Sequence, residues 1–159
     1  MGSNGSKPVC SAMKKETAVI IFIDDEGNIL LQERGGYSKG GERHGYFGGN
    51  IEDGEKPKDS LIRELKEELN YVPKNIKFWK RVNFVCPDEG EYKNFEVTIY
   101  IFISPLTKAI EESKVLEGGG SIKTTLSKEL ESNNITGGYD IVLKEIKEHF
   151  EEVIRIIRS

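Results

Sequence analysis

Cysteine is scarce in this chain: Cys10 and Cys86 are the only two in 159 residues. With two histidines beside them, they make neither a disulfide framework nor a zinc-ligand set. That usage fits a reducing, cytoplasmic setting. Long apolar runs are missing as well. The best, residues 18–23 and 97–103, have the length of strands, far below the roughly 20 residues of a membrane-spanning helix. No membrane partner is expected, and the N-terminus lacks the apolar core of a signal peptide. An excess of basic charge is also absent. Lys and Arg number 23 against 27 Asp and Glu, a net charge of −4. A stable nucleic-acid partner calls for a basic face, so none is expected. An acidic protein can still bind phosphates when metal ions bring the positive charge.

What the chain does contain is enough for one domain. Residues 1–12 are rich in Gly and Ser without periodicity and read as a vector-derived leader. The domain is then expected over 13–159, with Met13 as the natural start. Residues 17–24 and 29–34, rich in Val, Ile and Leu, read as two strands of a hairpin around Asp25-Glu26-Gly27-Asn28. A glycine-rich polar loop follows over 35–45, then a short extended stretch over 46–52. Over 56–69 the period changes. Leu61, Leu65 and Leu69 fall at i, i+4 and i+8 on one helical face, and Pro57 suits the first turn. Residues 76–86 and 95–103 read as further strands. Residues 114–126 read as irregular, 127–131 as a short helix, and 140–157 as one long amphipathic helix begun by Asp140 as N-cap. The expected class is α+β, a mixed sheet between helices.

The chemistry concentrates in 49–71. Glu64, Glu67 and Glu68 lie three and four residues apart, so on a helix their carboxylates crowd one side. Like charges at that spacing cost roughly 0.2–0.5 kcal/mol per pair. Carboxylates on a helix anchored by leucines form a plausible site for a hard cation. Taken alone, they fit a solvated acidic face equally well.

The whole spacing goes further. Gly49, Glu55, Arg63, Glu64, Leu65, Glu67 and Glu68 fall in register with G-x5-E-x7-R-E-U-x-E-E-x-G-U, where U is a bulky aliphatic residue. By residue frequencies a chance match is on the order of one in ten thousand. The segment resembles the Nudix box, and Gly48-Gly49 resembles the paired glycines that open it. Three positions depart from the pattern: Asn70 replaces the last glycine, Tyr71 an aliphatic residue, and Phe47 a common proline. The resemblance implies a Nudix-type mixed β-sheet sandwiched between α-helices. It implies Mg²⁺, with Mn²⁺ able to take its place, held by Glu64, Glu67 and Glu68 with the Gly48 or Gly49 carbonyl. It implies that Arg63 and Glu55 pair to orient those carboxylates, with Glu64 or Glu68 as the base.

Outside the box, the resemblance makes Glu117 a further metal ligand and Arg34 a phosphate contact. Lys39 and Arg43 are further candidates for substrate phosphates. Tyr139 and Asp140 are weaker candidates for reading a base. His44 is expected to face solvent, His149 to sit on a helix flank, and Phe78 and Trp79 to serve packing. The implied activity is hydrolysis of a phosphoanhydride bond in a nucleoside diphosphate derivative. A MutT-like action on a (d)NTP, giving NMP and pyrophosphate, comes first because little chain precedes the box. Sugar nucleotides and dinucleoside polyphosphates are the alternative substrates. A non-hydrolytic binding module is disfavoured, because it would be expected to have lost some of these carboxylates. The enzyme is expected as a monomer or homodimer, with a nucleotide as its substrate partner.

Overall fold

The computed structural model describes residues 13–34, 43–69, 71–87, 93–113, 115, 120–132, 134–135 and 137–159. Its strands are β1 (Lys14–Ile23), β2 (Asn28–Glu33), β3 (His44–Gly45), β4 (Phe47–Asn50), β5 (Lys77–Val85), β6 (Glu96–Pro105) and β7 (Ser121–Thr125). Its helices are α1 (Pro57–Glu68), α2 (Lys108–Glu111), α3 (Leu126–Glu131), α4 (Ile141–Glu148) and α5 (Phe150–Arg158).

β1 is the axis of the sheet. It runs parallel to β6 along its whole length, from Lys14↔Glu96 to Ile23↔Pro105. On its other edge it pairs antiparallel with β4 (Ala18↔Gly49, Val19↔Gly48) and then with β2 (Phe22↔Leu30). β5 lies outside β6, while β2 carries both β3 and β7. The sheet is therefore mixed, and β1 is buried from Thr17 onward on both faces, as a strand with parallel pairing and layers on either side must be.

Alternation along β1 divides the core in two. Ala18, Ile20 and Phe22 face α1 and pack with Leu30, Phe47, Leu61, Leu65, Leu69, Phe102 and Ile110. Val19, Ile21 and Ile23 face α3, α4 and α5 and pack with Ile99, Ile101, Leu126, Val142, Leu143, Ile146 and Val153. This is the α+β sandwich implied by the sequence.

Three elements differ from expectation. Part of the stretch read as irregular forms β7, which pairs antiparallel with β2 from Asn28↔Thr125 to Gln32↔Ser121. Its composition is polar because it sits at the sheet's margin. The long C-terminal helix is two helices, since His149 leaves helical backbone values (φ −114, ψ 33). The apolar period runs unbroken across that residue, which concealed the break. Asp140 does stand at the N-cap of α4, but its side chain makes no capping bond and instead pairs with Lys144 at 3.1 Å. The short helix α2, capped by Thr107, was not anticipated.

Candidate active site

α1 begins at Pro57, whose missing N–H costs nothing in a first helical turn. Leu61, Leu65 and Leu69 are buried against Ala18, Ile20, Phe22 and Phe47, which fixes the helix over β1 and β4. With that stripe buried, the polar flank holding Ser60, Arg63, Glu64 and Glu68 turns toward β4 and the loop after it. Glu68 is only 6 % exposed, and its Oε1 accepts the Gly48 N–H at 2.9 Å. The acidic side of α1 is thus not uniformly solvated: Glu68 is built into the fold, while the Glu67 side chain remains 55 % exposed.

Arg63 organises the flank. Its Nε donates to Glu55 Oε2 at 2.9 Å and its Nη2 to Glu55 Oε1 at 3.1 Å, the two-point geometry that a planar guanidinium favours. Nη2 also reaches the Asn50 carbonyl at 3.1 Å, and Nη1 donates to Glu64 Oε2 at 2.9 Å. Glu52 and Glu67 each stand 3.9 Å from the same guanidinium. Glu55 in turn accepts the Glu52 N–H at 3.0 Å. The Arg63 hydrogen bonds, helped by that backbone N–H, hold the Glu55 carboxyl at about 2, against the opposing pull of desolvation. The same contacts push the Arg63 guanidinium above its ordinary value, the Glu55 bond foremost. The pairing of Glu55 with Arg63 is as expected from the sequence. The direct reach to Glu64 adds to it.

Two glycines set the spacing between strand and helix. Gly48 has φ +131, and a Cβ there would lie 2.1 Å from the Ala18 carbonyl oxygen. Gly49 has no such backbone requirement. A Cβ on it would stand 2.5 Å from the Glu64 carboxylate carbon. One glycine lets β4 lie close to β1, and the other leaves room for Glu64.

The structure brings Gly48, Gly49, Glu55, Arg63, Glu64, Glu67 and Glu68 to one flank of α1, beside β4 and the loop after it. Among the described residues no three acidic, His or Cys side chains converge closely enough to surround one ion. Arg34 follows β2, half-buried, with its side chain lying across Gly45. Arg43 is exposed, and its N–H donates to the Asn134 carbonyl at 2.8 Å. Lys39, Asn70 and Glu117 lie outside the described residues. Tyr139 stacks edge-on against Phe84 at 5.0 Å, and its carbonyl accepts the Tyr46 hydroxyl at 2.6 Å.

His44 departs from expectation. It is buried, with Nδ1 2.8 Å from Glu129 Oε2 and Nε2 3.5 Å from Glu33 Oε2. Burial without such partners would be costly, and the partner that stabilises it lies 85 residues away in sequence. His149 occupies the break between α4 and α5, edge-on to Trp79 at 6.1 Å. Phe78 is 52 % exposed, so it packs against Phe102 with only part of its ring. Sequence reasoning also passed over Ser60. It is fully buried one helical turn before Arg63, and its hydroxyl donates to the Asn50 carbonyl at 3.2 Å. Its i, i+3 relation to Arg63 was the available signal.

Comparison with known proteins bears on the family and the fold. The family model of the NUDIX domain matches residues 13–121. The 8-oxo-dGTP diphosphatase of Escherichia coli (strain K12) is 30 % identical over 77 residues. The match takes in 48 % of this chain and spans 60 % of the relative's length. Among solved structures, a MutT protein from Methanosarcina mazei Go1 superposes with a TM-score of 0.69 at 16 % identity, covering 90 % of this chain and 99 % of that one. An Ap4A hydrolase from C. elegans superposes with a TM-score of 0.60 at 15 % identity, covering 89 % and 99 %. At those identities the superpositions speak for the fold.

Proposed function

This chain belongs to the NUDIX domain family, and on that footing we propose that it is a divalent-metal-dependent pyrophosphohydrolase of nucleoside diphosphate derivatives. Its preferred substrate is a (d)NTP, cut in MutT-like fashion to NMP and pyrophosphate. The observation that carries the proposal is the Glu55–Arg63–Glu64 chain of hydrogen bonds beside Gly48 and Gly49. An arginine that fixes one carboxylate while itself held by another is suited to aim acidic groups at a ligand. The partial identity to the 8-oxo-dGTP diphosphatase supports a nucleoside triphosphate over other substrates.

Glu64, Glu67 and Glu68, with the Gly48 or Gly49 carbonyl, would hold Mg²⁺, and Mn²⁺ would serve in its place. The donors are all oxygen, as a hard cation demands, and the space kept clear at Gly49 admits the Glu64 carboxylate beside the strand. When bound, the metal withdraws charge from the phosphates and makes a water a better nucleophile. The chain's own contribution is positional. Arg63 holds the Glu64 carboxylate in place, the Gly48 N–H holds Glu68, and Glu67, largely exposed and 3.9 Å from Arg63, can turn toward a ligand. Glu64 or Glu68 takes the proton of the attacking water. Glu117 adds a carboxylate, and Arg34, with Lys39 and Arg43, meets the phosphates.

The test is hydrolysis across nucleoside triphosphates, sugar nucleotides and dinucleoside polyphosphates with Mg²⁺ or Mn²⁺, with product identification. Turnover of a triphosphate to NMP and pyrophosphate, abolished by EDTA, is expected. Orthophosphate as product, or preference for a sugar nucleotide or dinucleoside polyphosphate over every triphosphate, would overturn the substrate assignment. Full activity in EDTA would overturn the metal role.

A further inference from the structure

Gly45 has no backbone reason to be glycine. Its φ lies outside the left-handed region, unlike that of Gly48. What distinguishes it is a neighbour. A Cβ on Gly45 would stand 2.5 Å from Arg34 Cδ, 3.0 Å from Arg34 Nη1 and 3.3 Å from Arg34 Cγ. The Arg34 side chain fills the space that any larger residue would claim. Gly49 does the same for Glu64, so the strand segment leading into the box is cleared twice, each time for a residue assigned to the site.

The floor under Arg34 is also anchored. β3 has two residues, and the one before Gly45 is His44, buried between Glu129 on α3 and Glu33 on β2. The Asn134 carbonyl accepts both the Arg43 and His44 N–H groups, at 2.8 and 3.1 Å. The Arg34 N–H donates to the Arg43 carbonyl at 2.8 Å. A two-residue strand cannot hold its place by ladder bonds alone, and these contacts fix it from both sides.

We propose that Gly45 is a positioning residue: on a strand pinned by His44, it seats the Arg34 side chain in one orientation, ready to meet a substrate phosphate. The inference rests on the phosphate role given to Arg34 above. A guanidinium already ordered before binding loses less entropy when it engages an anion.

The test compares Arg34→Ala, Gly45→Ala and the double variant. Alanine is compatible with the Gly45 backbone, so the fold should survive while the Arg34 side chain is displaced. Both single variants should raise KM for dGTP about tenfold, the scale of one lost hydrogen bond to a charged group, with a smaller change in kcat. The double variant should be no worse than either single, because both remove one interaction. Calorimetric titration with inorganic pyrophosphate should show weakened binding in both singles. The Arg34 Nε–H resonance should shift in Gly45→Ala. A Gly45→Ala protein with unchanged KM, pyrophosphate affinity and Nε–H resonance overturns the proposal, as does an additive double variant. If Arg34→Ala itself behaves as wild type, the phosphate role of Arg34 is what fails, and the Nε–H resonance still decides whether Gly45 orients the side chain.

Discussion

Glu55 and Arg63 meet through two parallel hydrogen bonds, at 2.9 and 3.1 Å, that tie the loop after β4 to the middle of α1. The pair has a pH signature. Its carboxyl sits at about 2 in the fold, against an ordinary value of 4.5. A depressed carboxylate contributes stability that is fully present above the unfolded value and is lost as pH falls through the folded one. The window is therefore pH 4.5 down to about 2. Carboxyl NMR should give Glu55 a midpoint near the lower end. A midpoint at the ordinary value would mean that the pair does not persist in solution.

Arg63→Ala should lower both melting temperature and kcat/KM. It leaves Glu55 without its main donors, takes a hydrogen bond from the Asn50 carbonyl, and releases Glu64. Arg63→Lys should restore little, because an ammonium cannot present the fork that reaches Glu55 twice while also meeting Glu64. Thermal melts and kinetics of the two variants decide the point; full rescue by lysine would reduce Arg63 to a point charge.

Glu67 and Glu68 should separate in stability though not in activity. Removal of either carboxylate should lower kcat by about 10²–10⁴, the range for a lost acid–base or metal function. In melts run in EDTA, Glu67→Ala should stay close to wild type, since that side chain is largely exposed and meets Arg63 only at 3.9 Å. Glu68→Ala should lose about 1–3 kcal/mol, because it strips the Gly48 N–H of its acceptor. Glu68→Gln, which keeps an oxygen there, should recover most of the stability without the activity. Equal melts for the Glu67 and Glu68 alanine variants would contradict the buried position of Glu68.

His44→Leu should be the more damaging change away from the box. It leaves Glu129, whose side chain is 2 % exposed, without its imidazole partner. Leaving a buried polar group without its hydrogen-bond partner costs about 1–3 kcal/mol, and more where the group is charged. Chemical denaturation measures the loss directly. A stability within 1 kcal/mol or so of wild type, the scatter of ordinary surface substitutions, would show that Glu129 does not depend on His44.

These cases also mark how far the sequence could be read. The nearness of Glu55, Arg63, Glu64, Glu67 and Glu68 in the candidate site was legible because these acids and the arginine lie within 14 residues, at spacings that a helix and one loop convert directly into proximity. β1, β2 and β6 were legible because their apolar side chains face a core, and β5 because Trp79, Val82 and Phe84 pack on it although Phe78 and Val85 stay exposed. β7 was not, because SIKTT is held to β2 chiefly through backbone pairing, which leaves no apolar pattern. The break at His149 was hidden because Ile146, Phe150 and Val153 keep their helical spacing across it. The buried state of His44 depends on Glu129, and the seat of Arg34 on Gly45. Both are contacts between separate elements, and neither residue's own neighbourhood in sequence announces them.

The two glycines that open the box should respond to alanine in opposite ways. At Gly48 the obstacle is backbone: the new Cβ would lie 2.1 Å from the Ala18 carbonyl oxygen and 2.8 Å from the Val19 Cα, in a conformation that L-residues avoid. Neither β1 nor β4 can retreat without breaking Val19↔Gly48 and its neighbouring pairs. Gly48→Ala should therefore cost at least about 2–3 kcal/mol, the scale of a strained backbone with no room to relax. At Gly49 the obstacle is the end of a side chain. The nearest atoms are the carboxylate carbon and oxygens of Glu64, which can swing aside by rotating about their own bonds. Gly49→Ala should then fold with close to wild-type stability, yet lose kcat and metal affinity together as Glu64 is turned out of the site. Melting curves, steady-state kinetics and Mn²⁺ titration of the two variants read the contrast. A Gly49→Ala protein that is stable and fully active would show that the space beside Glu64 has no part in the chemistry, and a stable Gly48→Ala would show that β4 does not need its close approach to β1.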